Sequence, residues 1–414
     1  MPTAREHPRL SVTGLSAESG GWIDRRPFLY DDAYYPGASA QVRASVRARL
    51  ETLWAAGELR LAQLPVEAPG LRMRGGPLPA DRLKGLLWGA AIGDALGNTS
   101  ESMRPQDRHK VNGGDVLDFL PNRHDDGRAV GLPSDDTQLT IWTMEALLEC
   151  GQPDARALAR AWRQAPLFGI GRTMRAWFAA LDGLGTGDPW GARQHSAGNG
   201  ALMRLPGAAL PYLWTLDNGL YDSVVLSSAL SHDDPTSTAA CVAFAEILRR
   251  AVYGGPAAFP VGGFLSTYVA VAGPLEGQVQ LCSRVPGSSF VGATWQLVES
   301  EVAPALRAGL APLQAANSWY SGAFLLETVP TVLFLLEKYR DDPEEALVRA
   351  VNDTWDNDTV GSLVGAVMGA LHGFAALPDR WRQGLLGRTS HHDDGRLDLA
   401  WRALRAYGGF GLRD

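Results

Sequence analysis

The sequence predicts an all-α fold, and three observations carry that expectation. From Asp81 onward nearly every periodic stretch repeats its apolar residues at three and four positions, the spacing of one helix face. Alternating apolar and polar runs bounded by hairpin turns are scarce. Two helical stretches carry glycine at every fourth position, Gly85, Gly89, Gly93 and Gly97 in one and Gly361, Gly365, Gly369 and Gly373 in the other. Glycine inside a helix costs up to ~1 kcal/mol relative to alanine, so such a run marks a face where backbones approach closely. The expectation is that these two helices pack on each other or on a common neighbour, within an orthogonal multi-helix domain.

The elements follow in order. Residues 1–79 read as an appended segment, with turn clusters at Tyr35-Pro36-Gly37 and Gly75-Gly76-Pro77. It holds one amphipathic helix from about Ala38 to Ala56, where Val42, Val46, Leu50 and Leu53 share a face and Arg43, Arg47 and Arg49 lie on others. Residues 80–414 form the helical domain. Its periodic stretches run over 82–96, 137–149, 155–162, 173–181, 223–230, 237–253, 300–310, 323–339, 343–351 and 359–376. Small residues four apart also serve helix packing in membranes. Asp94 interrupts the first such stretch here, and Ser362 and His372 the second, so no membrane span is expected.

Composition narrows the function. The 414 residues are 45% hydrophobic and 20% charged, enough for a large core and incompatible with disorder over most of the length. With 38 basic and 45 acidic side chains the net charge is −7, which argues against a protein that grips nucleic-acid backbone non-specifically. The 3 cysteines, Cys150, Cys241 and Cys282, are odd in number and far apart, fitting neither a disulfide framework nor a zinc site. Met1 to Leu10 carry charged residues and no apolar secretory core, so a reducing, cytoplasmic setting is expected.

Two helix starts carry the chemistry. Ser134-Asp135-Asp136-Thr137 precedes an apolar period of Leu139, Trp142, Ala146 and Leu147, and Asp356-Asn357-Asp358-Thr359 precedes the second glycine stripe. Each motif alone reads as helix capping, because Ser or Asp at an N-cap accepts a backbone N–H and acids in the first turn complement the helix dipole. Together they offer four carboxylates and the hydroxyls of Ser134 and Thr359, more than capping needs. Hard oxygen donors in that number suit Mg²⁺ or Mn²⁺, above all a pair of ions sharing carboxylates. No His–Cys cluster accompanies them, so zinc is not expected.

The motifs, taken in chain order, resemble the ADP-ribosylglycohydrolases related to dinitrogenase reductase-activating glycohydrolase. The resemblance covers about Leu83 to Asp394. Residues 89–97 resemble the family's first-helix signature, with Glu101 at the position of its active-site acid. Ser134-Asp135-Asp136-Thr137 and Asp356-Asn357-Asp358-Thr359 resemble its two metal motifs. Phe168-Gly169-Ile170-Gly171-Arg172-Thr173 and residues 198–204 resemble its glycine-rich nucleotide loops, and residues 231–235 its central His motif. The resemblance implies two Mg²⁺ or Mn²⁺ ions held by Ser134, Asp135, Asp136, Asp356, Asp358 and Thr359. It also implies hydrolysis of the bond between ADP-ribose and a modified side chain, arginine in one branch and serine in another. Asp353-Thr354-Trp355 stands where many members carry glycines, and Trp355 is expected to reshape the acceptor side of the cleft.

Cleavage at an anomeric carbon passes through an oxocarbenium-like state, so water must be activated and charge stabilised on both sides of the ribose. A metal-bound carboxylate, Asp358 before Asp136, is the expected proton acceptor, and Glu101 the group that assists the leaving side or positions the distal ribose. Gly169 and Gly171 are expected to offer backbone N–H groups to the diphosphate, and Ser196, Gly198, Asn199 and Gly200 to form a second nucleotide loop. His232 would stack on or hydrogen-bond the nucleotide. His391 and His392 beside Asp393 and Asp394 read as a solvated loop in preference to a metal site. The expected partner is an ADP-ribosylated protein or another ADP-ribosylated acceptor. A rival reading makes residues 1–79, with Trp22, Phe28, Tyr30, Tyr34 and Tyr35, a docking segment that blocks an ADP-ribosyltransferase as an immunity protein would.

Overall fold

The structure is a computed structural model that describes residues 40–66, 79–125, 128–214, 218–391 and 393–408. Helices make up nearly all of its regular structure. In chain order they are α1 (Ala40–Ala55), α2 (Ala80–Gly97), α3 (Pro105–Asn112), α4 (Asp135–Cys150), α5 (Ala155–Ala161), α6 (Arg172–Leu184), α7 (Leu205–Ala209), α8 (Gly219–Ala229), α9 (Pro235–Gly254) and α10 (Gly263–Glu276). A short antiparallel ribbon, β1 (Leu281–Cys282) and β2 (Val291–Gly292), follows. Then come α11 (Thr294–Leu297), α12 (Ala303–Arg307), α13 (Pro312–Trp319), α14 (Leu325–Lys338), α15 (Pro343–Asp353), α16 (Asn357–His372), α17 (Asp379–Gly384) and α18 (Arg396–Gly408). The all-α expectation holds.

The predicted helix at 300–310 differs in detail. A π-helical turn occupies Val298–Val302 and passes into α12, where Pro304 has no N–H to give to the preceding turn.

The glycine stripes of α2 and α16 meet in an antiparallel zipper. A Cβ built on Gly93 would lie 1.9 Å from the Gly361 carbonyl oxygen, one on Gly89 2.0 Å from that of Gly365, and one on Gly85 2.2 Å from that of Gly369. Only hydrogen fits at these positions, which is why both helices forgo side chains on this face despite the cost to helix propensity. The zipper ends where a Cβ on Gly97 would lie 2.5 Å from the Asp358 Cα. It therefore brings the C-terminal end of α2 against the acidic start of α16.

Around this pair the core is closed by large side chains, with Trp142, Trp162, Trp177 and Trp381 fully buried. The N-terminal segment joins the same core through Val46 and Leu50 of α1 and through Leu59 and Leu61 beyond it. Ion pairs from Arg47 to Asp222 at 3.0 Å and from Arg49 to Asp188 at 3.1 Å fix its outer face. The aromatic residues Trp22 to Tyr35 named above lie outside the described residues. Among the described helices none is long and apolar enough to cross a membrane.

Candidate active site

Asp94, one turn before the end of α2, organises the first acidic motif. Its carboxylate accepts the Ser134 N–H at 2.8 Å, the Ser134 hydroxyl at 2.6 Å, the Thr137 N–H at 3.0 Å and the Thr137 hydroxyl at 2.6 Å. The start of α4 is thus capped from another helix, and the Ser134 side chain makes no cap of its own. Asp135 and Asp136 are left free to point at the cleft, and the Asp136 Oδ1 is buried without a hydrogen-bond partner. The Asp135 N–H donates to the Phe168 carbonyl at 2.9 Å, tying this motif to the glycine loop that follows Phe168.

The second motif is held from three sides. Asp356 is the N-cap residue of α16 but makes no side-chain cap bond, and its Oδ2 instead accepts from Asn199 Nδ2 at 2.6 Å. Asp358 Oδ1 accepts the Thr359 N–H at 2.8 Å, which leaves its other oxygen for the cleft. Arg108 of α3, fully buried, donates to Ser100 Oγ at 2.9 Å and to the carbonyls of Met103, Asn352 and Thr354 at 3.0 Å each. That guanidinium fastens the turn carrying Glu101 to the loop that leads into Asp356. Glu101, Asp356 and Asp358 consequently each present a carboxylate oxygen within 4.8 Å of the others. Glu101 also pairs with Arg123 at the rim.

Burial and mutual repulsion dominate the electrostatics. Burial holds Asp135, Asp136 and Asp358 well above the usual carboxylate range, and the neighbouring charges add to it: Asp94 and Glu101 on Asp135, Asp358 and Asp94 on Asp136, Glu101 and Asp356 on Asp358. Burial likewise pushes Asp356 up to about 7, against the bond from Asn199. Acids packed this closely fit bound divalent cations, which would remove the repulsion and partner the orphan oxygen of Asp136. The donor set is all oxygen, which favours Mg²⁺ or Mn²⁺ over softer metals.

The cleft of about 330 Å³ above these acids is walled by the two glycine loops. Gly169 sits at φ +106°, and a Cβ there would lie 3.0 Å from Asp135 Oδ1. Gly171 caps α6, whose first residues, Arg172 to Met174, line the cleft. The second loop is framed on both sides: the Asn199 N–H donates to the Ala323 carbonyl and the Leu325 N–H to the Ala197 carbonyl, each at 3.0 Å. Ser196 Oγ lies 2.9 Å from Thr173 Oγ1, linking the loops. His232 is buried beneath Gly200, with Nδ1 2.8 Å from Ser231 Oγ. Burial, then the charge of Arg204, lowers its pKa well below the ordinary value, so the ring is neutral. At the mouth stands Arg284, gripped by Glu327 through two bonds of 2.8 Å and laid over the Phe324 ring at 4.5 Å.

A model of the ADP-ribosylglycohydrolase family matches residues 76–409. The chain belongs to that family. It is 26% identical over 324 residues to the ADP-ribosylarginine hydrolase Tri1 of Pseudomonas putida, covering 73% of each protein. It is 25% identical over 320 residues to the ADP-ribosyl-dinitrogen reductase glycohydrolase of Rhodospirillum rubrum, covering 74% of this chain and 90% of that one. A solved ADP-ribosylglycohydrolase-related protein complex superposes with a TM-score of 0.60 at 25% identity, over 80% of this chain and 99% of its own. The chain is therefore an enzyme of the class that hydrolyses ADP-ribose glycosidic bonds.

Within the ADP-ribosylglycohydrolase fold, Glu101, Asp135, Asp136, Asp356, Asp358 and Thr359 meet in one cleft with Gly169, Gly171, Ser196, Gly198, Asn199, Gly200 and His232. Ser134 lies just behind the lining, its hydroxyl turned to Asp94. Trp355 is not part of the wall: its ring stacks on Tyr320 with centroids 5.3 Å apart, and Ala323 and Phe324 line that side. His391 leans on Phe168 and on Asp125, while Asp393 bonds Thr389 and Ser390 within its own loop. Sequence reading missed Asp94 and Arg108. Asp94 stands inside a motif already singled out, and a lone acid within an apolar glycine stripe was the signal available. Arg108 sits in a polar stretch and carried none.

Proposed function

We propose that this glycohydrolase is a metal-dependent hydrolase that removes ADP-ribose from a modified protein side chain, arginine first, and so reverses an ADP-ribosyltransferase. One observation carries the reading: the carboxylates of Asp135, Asp136 and Asp356 are released from capping and converge with Glu101 and Asp358 on a cleft bounded by two glycine loops. The name of the Pseudomonas putida relative supports arginine as the linkage.

Ser134, Asp135, Asp136, Asp356, Asp358 and Thr359 would hold two Mg²⁺ or Mn²⁺ ions. When bound, such ions supply Lewis-acid polarisation of the ribose oxygens and make the attacking water more acidic. The chain's own groups do the rest. The first N–H groups of α6 have no partner within the helix and face the cleft, where they receive the diphosphate together with Gly169. The Ser196–Gly200 loop and His232 position the nucleoside side. Asp358, through the oxygen not engaged by Thr359, takes the proton from water as its oxygen bonds to the anomeric carbon, with Asp136 the second candidate. The bond from that carbon to the acceptor breaks with its electron pair on the acceptor, and Glu101 stands where it can assist that departure. Free thiols at Cys150 and Cys282 favour a cytoplasmic setting.

The test is release of free ADP-ribose from arginine-linked and serine-linked substrates, with Mg²⁺, Mn²⁺ or chelator, beside Asp135→Ala and Asp358→Ala. Metal-dependent release from arginine, lost in both variants, is expected. Release that persists in chelator or in both variants would overturn the assignment.

A further inference from the structure

Residues 57–62 lie before the family match at 76–409, yet they grip the two chain segments that carry the nucleotide side of the cleft. Leu59 and Leu61 are buried, and the Ala62 N–H donates to the Leu275 carbonyl at 2.9 Å, so the strap has a fixed course. Its polar residues face outward onto residues 190–195 and 233. The Glu58 carbonyl accepts from Arg193 Nη1 at 2.8 Å, and its carboxylate from Trp190 Nε1 at 3.2 Å. Arg60 Nε lies 3.6 Å from Asp233 Oδ2, and its Nη2 lies 3.4 Å from His195 Nε2. His195 Nδ1 completes a triangle at 3.4 Å from the same Asp233 oxygen.

These contacts adjoin the cleft directly. His195 precedes Ser196, and Asp233 follows His232. The two segments are themselves joined, since the Gln194 N–H donates to the Ser231 carbonyl at 3.1 Å and the Asp233 N–H to the Gln194 carbonyl at 2.8 Å. A shift of 193–195 must therefore move Ser196 and His232 together. Arg60 and His195 are more than half exposed, so their pairing adds little to folding stability; its effect, with the Glu58 contacts beside it, is to restrain where the joined segments sit against the strap.

We propose that the strap at 57–62 is a positioning element for the substrate cleft, in which Glu58 and Arg60 hold the Ser196 loop and His232 in register and thereby set affinity for the ADP-ribosyl group. The proposal rests on the ADP-ribose assignment of the cleft. It is tested on the full chain by calorimetric titration of ADP-ribose with Mn²⁺ present, hydrogen exchange, and steady-state kinetics, comparing wild type, Arg60→Lys and a Glu58→Ala/Arg60→Ala double variant. The double variant should weaken ADP-ribose binding about fivefold and raise KM with kcat retained, with faster exchange at 194–200 and 231–234. Exchange across 133–138 and Mn²⁺ affinity should be unchanged, and Arg60→Lys should recover part of the affinity. Equal binding and equal exchange in the double variant would overturn the proposal alone. Exchange that rises throughout the chain, with Mn²⁺ binding lost, would overturn it in favour of a purely structural strap. Wild-type protein that binds no ADP-ribose would overturn the assignment of the cleft and this proposal with it.

Discussion

Gly89 and Gly365 face each other so closely that a Cβ on either would lie 2.0 Å from the other's carbonyl oxygen. The contact is backbone on backbone, so no rotamer change can relieve an added methyl. Gly89→Ala should destabilise the protein by about 3 kcal/mol, at the upper end for overpacking, even though alanine is the better helix former. Urea unfolding measures this, and a variant with an unchanged midpoint would show that the helices do not meet as described.

Asp94 accepts from two N–H groups and two hydroxyls of Ser134 and Thr137. Burial raises its pKa, and those bonds work against the rise. In Asp94→Asn the carboxamide NH₂ must confront donors. A loss of about 3 kcal/mol in stability is expected from charged hydrogen bonds of this kind, with weakened Mn²⁺ binding as α4 shifts. Thermal unfolding and Mn²⁺ titration read the two effects, and a fully stable variant with wild-type Mn²⁺ affinity would refute the capping role.

Arg108 joins the Glu101 turn to the loop before Asp356 with a planar fork that an ammonium cannot reproduce. Arg108→Lys should remain folded while ADP-ribose release falls on the order of 100-fold, the scale of a displacement near 1 Å in a reacting group. Single-turnover release is the assay, and a rate within twofold of wild type would remove Arg108 from the site's support.

The pH dependence follows from the raised carboxylates. A group whose pKa is higher folded than unfolded stabilises the fold fully below its unfolded value, near 4, and loses that contribution as pH rises through the folded value. For Asp356 that value is about 7, and Asp135, Asp136 and Asp358 shift in the same direction. The neutral His232 has the opposite shift, which weakens the fold only as pH falls below its ordinary range. Between pH 5.5 and 7.5, where the four raised acids outweigh the one histidine, the chelated protein should therefore melt progressively lower as pH rises, and excess Mn²⁺ should restore most of the loss. Binding of Mn²⁺ should release protons at pH 6.5, seen as a dependence of the heat on buffer ionisation enthalpy. A chelated protein that gains stability across this range would contradict the arrangement.

How far the sequence reveals this depends on whether the deciding contact is local. Helices such as α9 and α16 were legible because their apolar spacing and acidic starts lie within one turn or two. The two glycine stripes disclosed a close contact and left two partners open, each other or a common neighbour, of which the structure has the first. The helix α10 went unread, since Gly263, Gly273 and Pro274 break the pattern that tertiary packing sustains. The acidic motifs were found, but capping was read as each motif's own affair, whereas Asp94 and Asn199 serve them from elsewhere in the chain. Arg108 was invisible for the same reason: its acceptors lie near residues 100 and 353, far apart in sequence.

The zipper also sets the order in which this protein can come to life. Residues 80–97 emerge from a ribosome some 260 residues before their partner helix at 357–372. Until then a stripe of bare backbone on α2 has nothing to close upon, and Glu101, Asp135 and Asp136 wait without Asp356 and Asp358. A nascent chain that has reached α15 holds most of the core and none of the assembled chemistry. Contacts so distant along the chain slow folding, and the two acidic motifs cannot face each other until this one has formed.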